Sequence, residues 1–262
     1  MIREKRIKSG RLLEADFYPV YDSGKRMNER AVNERPTSEQ MKAYNKKQSE
    51  KKFIRFVNCN FDEDDIFLHL TCSPENAPQD EEAMRRYVNN YLRRIDYYRE
   101  KNKLSKLKYI YVLESKTYRS GKYAGLVNWH CHLFMTGKGL SRDEAEKKWN
   151  LGTANANRYQ PDTFGPETAA RYLSKDPKGK KRFVCSKNLK KPIEGKPRDG
   201  KVGRKTVERM AKLHIDDKEY WERRYKGYEF ISCSANYNEY NGHWYVNVVM
   251  FKFKKQQVKK RS

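Results

Sequence analysis

The sequence predicts an α+β fold: a central antiparallel β-sheet with flanking helices. Three observations lead there. Stretches that alternate apolar and polar residues are interspersed with stretches of helical periodicity. Two pairs of the alternating stretches are joined by short turns, which argues for antiparallel pairing. No glycine-rich dinucleotide or Walker loop follows a strand, so the repeating βα order of a parallel sheet is not expected.

Composition bounds the rest. The chain has 262 residues, enough for one large domain or one domain with extensions. Apolar residues are only 37%, but 19 Tyr, 11 Phe and 4 Trp supply core volume. Lys and Arg total 58 against 34 acids, a formal charge of +24. Such a balance attracts a polyanion and releases counterions on binding, so nucleic acid is the expected partner. No lipidation motif, basic amphipathic anchor or 18-residue apolar run is present, and the first residues lack an apolar signal core. The expectation is a cytoplasmic protein with no membrane attachment. Five cysteines stand singly, without a Cys-x-x-Cys pair, which disfavours a zinc ribbon.

In chain order, residues 1–36 read as a basic flexible arm, either nucleic-acid-binding or simply solvated. Thr37 and Gln40 form a capping-box pattern for a helix to Val57. Asp65 to Cys72 alternates as a half-buried strand, and Pro74 ends it. Glu81 to Asn102 has Met84, Val88, Tyr91, Leu92 and Ile95 at helical spacing. Lys108–Ser115 and Leu126–Met135 form a hairpin closed by residues 117–124. Ser141 and Glu144 cap a short helix, residues 150–164 read as loop, and Gly165–Pro177 is a helix bounded by prolines. Arg182–Ser186 is a short strand, 187–205 a basic loop, and 206–213 and 217–225 are helical. A second hairpin spans Tyr228–Asn236 and His243–Phe253, turning at Asn241-Gly242, before a basic tail at 254–262.

The chemistry-bearing residues centre on Asn128-Trp-His-Cys-His-Leu-Phe134. Residues two apart on a strand share a face, so His130 and His132 project together, with Trp129, Cys131 and Leu133 behind them. Such a pair is either a metal site or two surface histidines. Glu114, near the end of the partner strand, adds a carboxylate. Two imidazoles and a carboxylate leave positions open on a divalent ion and suit Mg²⁺ or Mn²⁺ better than structural zinc. Tyr172 and Lys175, three apart on the bounded helix, are a candidate nucleophile and its cation. Tyr44 with Lys47 and Tyr98 with Lys101 repeat that spacing, so it is weak alone.

Taken together, the three parts resemble the motif order of HUH endonucleases, in particular single-tyrosine rolling-circle replication initiators of Firmicutes plasmids, phages and integrative elements. Phe67-Leu-His-Leu-Thr-Cys-Ser73 looks like the first motif, with His69 departing from it. Asn128–Phe134 matches the second, with Glu114 as the acidic ligand. Arg171-Tyr-Leu-Ser-Lys175 matches the third. The resemblance covers residues 37–192, leaving 193–262 as a basic loop, helices and hairpin that complete or append to the core. It implies a ferredoxin- or RRM-like core and a metal-dependent nickase. Tyr172 would attack an origin phosphodiester, with the metal at Glu114, His130 and His132. Single-stranded DNA would lie on Arg171, Lys178, Lys180, Lys181, Arg182, Lys187, Lys190 and Lys191. A host helicase and polymerase would be the further partners, in a bacterial cytoplasm. Relaxases and single-tyrosine transposases share the chemistry, and a non-catalytic nucleic-acid binder is the reading from a different class.

Overall fold

The structure is a computed structural model that describes residues 1–21, 39–161 and 182–253. The elements run β1 (Ile2–Ser9), β2 (Leu12–Pro19), α1 (Glu39–Asn60), β3 (Ile66–Cys72), α2 (Glu81–Lys101), β4 (Tyr109–Thr117), β5 (Val127–Met135), α3 (Arg142–Lys147) and β6 (Gly152–Arg158). They continue with β7 (Val184–Cys185), β8 (Ile193–Glu194), β9 (Arg198–Asp199), α4 (Arg204–Leu213), α5 (Lys218–Arg224), β10 (Glu229–Asn238) and β11 (His243–Phe251). The fold is α+β, with two antiparallel sheets in place of the single one expected. The chain divides into two compact units, one of residues 47–190 and one of residues 1–46 with 191–262.

The 47–190 unit holds the sheet β6-β3-β5-β4-β7. Its first four strands and two helices occur in the order β3-α2-β4-β5-α3-β6, the split βαβ arrangement of ferredoxin-like folds. Alternation in β3 sends Ile66, Leu68, Leu70 and Cys72 to one face, all fully buried. There they meet Met84, Val88, Tyr91 and Ile95 of α2 and Ala145 of α3. Asp80 caps α2 by accepting from the Ala83 amide at 2.7 Å, and Glu81 and Glu82 favour the same helix end. At the other end buried Arg99 donates to Ser105 O, Thr136 O and Lys138 O, fastening the turns beneath β4 and β5. Among the described residues, the second face of the sheet is covered at one end. Phe53 and Val57 of α1 pack there with Phe61, Ile110, Phe134, Tyr159 and Leu189.

The loop expected at 150–164 is, over Gly152–Arg158, the strand β6. Its sequence is too polar to alternate visibly. Seven residue pairs with the open edge of β3 make it a strand, with Ala154 and Ala156 turned to the core. Pairing overrides weak local propensity here.

In the unit of residues 1–46 and 191–262, the described residues 1–21 correct the expectation of a flexible arm at 1–36 over their own length. Ile2–Pro19 is a hairpin whose two-residue loop begins at Gly10. The φ of Gly10 is +59° and Arg11 keeps a negative φ, the pattern of a type II′ turn. The buried positions of β1 include Glu4 on one face and Ser9 on the other, which hides the alternation from a hydrophobicity reading. β2 pairs with β11, giving the order β10-β11-β2-β1, and β8 and β9 pair in tandem with the outer edge of β1. Val207, Met210 and Trp221 of α4 and α5 pack on Leu13, Ala15, Phe17 and Val248. Residues 193–253 therefore do not complete the first sheet; they build a second one with the N-terminal hairpin.

The Thr37–Gln40 capping box, the Gly165–Pro177 helix and the 254–262 tail lie outside the described residues and side chains. No described helix is long and apolar enough to cross a membrane.

Candidate metal and phosphate site on the central strand

β5 runs between β3 and β4, and the registers on its two sides set three cross-strand rows on one face. The first row is Ile110, Phe134 and Phe67, closed over by the aromatic cluster with Phe53 and Phe61. The second is Val112, His132 and His69. The third is Glu114, His130 and Thr71. Side chains become polar row by row because the covering cluster ends at the first. His132 is 5% exposed, whereas His130 and Glu114 are half-buried.

The polar rows interlock. Nε2 of His132 lies 3.1 Å from Oε2 of Glu114. Nδ1 of His130 lies 2.9 Å from the Thr71 hydroxyl. The imidazole of His69 stacks on that of His132 at 4.6 Å with planes 3° apart, and on His130 at 5.3 Å. Phe67 stacks on the same His132 ring at 6.3 Å. His69 is thus a half-buried member of the cluster, not the exposed strand residue that its polar neighbours suggest. The signal for it was parity: His69 and Thr71 share a face of β3, and only the β3–β5 register brings that face to the pair on β5.

The opposite face holds the thiols, while buried Asn128 follows His130 on the histidine face. Asn128 Nδ2 donates to Cys72 O at 2.7 Å, and Trp149 Nε1 donates to Thr71 O at 3.0 Å, which fixes the backbone under Thr71. Burial pushes the Cys72 thiol up to about 11 and the Cys131 thiol well above its usual value. Both lie in the core on the face away from His130 and His132.

The donor set fits a divalent ion. The 3.1 Å between His132 Nε2 and Glu114 Oε2 is a hydrogen bond as it stands. It is also close to the roughly 3.0 Å that separates adjacent ligands on an octahedral ion with bonds of about 2.1 Å. Among the described residues no group of three or more His, Cys, Asp or Glu side chains is already gathered around one such ion. His130, whose Nδ1 is held by Thr71, would supply the second imidazole through its other ring nitrogen.

Of the predicted DNA-contacting residues, Arg182, Lys187 and Lys190 are described in this unit. Arg182 precedes β7 at the end of that strand nearer Glu114. Lys187 and Lys190 follow β7 at the far end of β4, where Ser186 N donates to Tyr109 O at 2.9 Å. Lys191 belongs to the other unit. Tyr172, Lys175, Arg171, Lys178, Lys180 and Lys181 lie outside the described residues. No protein-family model, curated protein or solved structure matches this chain.

Proposed function

We propose that the chain is a site-specific single-strand DNA nickase of the HUH endonuclease type that initiates rolling-circle replication. One observation carries this reading: a histidine pair on the central strand of a ferredoxin-like sheet, with a carboxylate from the neighbouring strand 3.1 Å from one imidazole. The fold alone would not carry it, because ferredoxin-like sheets host many activities.

His130, His132 and Glu114 would hold the ion. A bound Mg²⁺ or Mn²⁺ supplies Lewis acidity that polarises a scissile phosphate. Thr71 fixes the His130 ring, and the His69 and Phe67 rings restrict His132 between the strands. Tyr172 is the nucleophile: its oxygen bonds to phosphorus, the bond from phosphorus to the 3′ oxygen breaks, and that oxygen leaves as a hydroxyl after taking a proton. The phenol proton passes to solvent, and Lys175 stabilises the phenolate. The 5′-phosphate stays on the tyrosine, so the reverse reaction rejoins strands. Arg171 and the basic residues that follow it hold the single strand by its phosphates. The free 3′-hydroxyl would serve a polymerase, with strand separation left to a host helicase in the bacterial cytoplasm.

The test is incubation of the full chain with Mn²⁺ and single strands tiling the DNA around its gene. Cleavage at one position with a protein-linked product is expected, lost in Tyr172→Phe. Salt-sensitive binding without cleavage would replace the nickase with a binding protein.

A further inference from the structure

The unit of residues 1–46 and 191–262 carries its own cationic cleft. Arg6, Arg198, Lys201 and Arg224 line an open cavity of about 540 Å³ together with Glu4 and Val202. The topology makes it. β8 and β9 pair with β1 at Lys8–Ile7 and Glu4–Arg3; between them the Gly195 amide donates to Arg6 O at 2.8 Å and the added edge leaves Lys5 without a ladder partner. α5 supplies Arg224 from above the same sheet face.

Four cations share one anion. Glu4 is 2% exposed and is bound by Arg6 Nε at 2.6 Å, the Tyr225 hydroxyl at 2.9 Å and an Arg224 terminal nitrogen at 3.5 Å. It braces two guanidinium groups but cannot neutralise both. Their orientation is further set by rings: Arg6 lies 4.9 Å from the Tyr225 ring centre, and Arg224 lies 5.2 Å from that of Phe17. The Nε donor of Arg224 is buried and has no hydrogen-bond acceptor among the described residues. Nearby acids are already committed, Asp199 to Arg3 at 2.6 Å and Glu194 to Lys5 at 2.8 Å. Arg198 and Lys201 are exposed and pair with no carboxylate among the described residues.

Planar guanidinium groups held in place, with unspent donors and surplus positive charge, match the oxygens of a phosphate. The open cleft suits a phosphate within a chain, and the charge of +24 favours a polyanion. We propose that this cleft grips backbone phosphates of a nucleic-acid strand, a second contact that needs neither the histidine site nor its chemistry.

The experiment measures binding of the full chain to a labelled single strand of mixed sequence, in EDTA so that no cleavage intervenes. Affinity is followed against salt for the wild type, for Arg198→Ala/Lys201→Ala, and for Lys147→Ala/Lys218→Ala, a control that removes the same charge elsewhere. Loss of two phosphate contacts should flatten the plot of log affinity against log salt by about 1.4, at roughly 0.7 per phosphate on a single strand. The control pair should keep the wild-type slope. Equal slopes in both double variants would overturn the proposal. A parallel titration with inorganic phosphate separates the sources of the ligand. Saturable phosphate binding that the cleft variant loses, with strand binding intact, would overturn the polynucleotide in favour of a small phosphate compound. Loss of strand binding in the cleft variant supports it.

Discussion

Replacing Thr71 with valine tests how the histidine pair is oriented. Valine keeps the shape of threonine and removes only the hydroxyl, which lies 2.9 Å from His130 Nδ1. The backbone around it should stay in place, since β3 pairs on both sides of Thr71 and the Trp149 indole holds its carbonyl at 3.0 Å. One hydrogen bond of this kind contributes about 0.5–1.5 kcal/mol net to stability. Outer partners of metal-bound histidines matter more to the metal, and their loss lowers affinity by about 10–100-fold, or roughly 1.4–2.7 kcal/mol. The two effects are therefore separable. Calorimetric titration of Mn²⁺ into Thr71→Val should show the weakened affinity, while thermal unfolding moves by only a few degrees. Wild-type Mn²⁺ affinity in a variant with lowered stability would refute the reasoning, because Thr71 would then be supporting the sheet and not the ligand.

Two further outcomes follow from the fold. Burial works to raise the Glu4 carboxyl, but the bonds from Arg6 and Tyr225 and the charge of Arg224 outweigh it and hold the group below its ordinary 4.5. A depressed carboxylate stabilises the folded state above about pH 4.5, and that contribution is lost as pH falls through the lower folded value. Urea midpoints between pH 7 and pH 3 should fall less steeply in Glu4→Gln than in the wild type, and parallel curves would show that Glu4 is not the group responsible. At the start of β6, Gly152 has φ +153°, and a β-carbon there would lie 2.3 Å from the Thr71 carbonyl oxygen and 2.4 Å from the Ser73 nitrogen. Gly152→Ala should cost at least about 2 kcal/mol by forcing β6 from β3, read from denaturant unfolding. An unchanged midpoint would mean that β6 is not seated as described.

How much was legible depended on whether a residue's partners lie close in sequence. β3, α2, β4 and β5 could be read because their inward residues, such as Leu68, Val88 and Leu133, are apolar and periodic. Glu114 could be placed beside His130 because one hairpin joins their strands, and the two are indeed direct cross-strand partners. β6 could not, since its Gly, Thr and Asn residues become a strand only through the edge of β3, some eighty residues earlier. β1 and β2 were hidden for a related reason. Glu4 and Glu14 are buried in them, and the partner strand β11 lies at the other end of the chain. His69 needed the β3–β5 register, which the spacing of residues within either strand does not contain. The cationic cleft was illegible because Arg6, Arg198 and Arg224 are brought together only by the second sheet and α5.

The most direct measurement of the central claim is mass spectrometry of the product formed from full-length protein, a cleavable single strand and Mn²⁺. One nucleotide-bearing peptide, modified at Tyr172, is expected, and it should disappear when Mn²⁺ is withheld or when His130 and His132 are both changed to alanine. An adduct on another residue, or one that forms undiminished in the double-histidine variant, would contradict that claim.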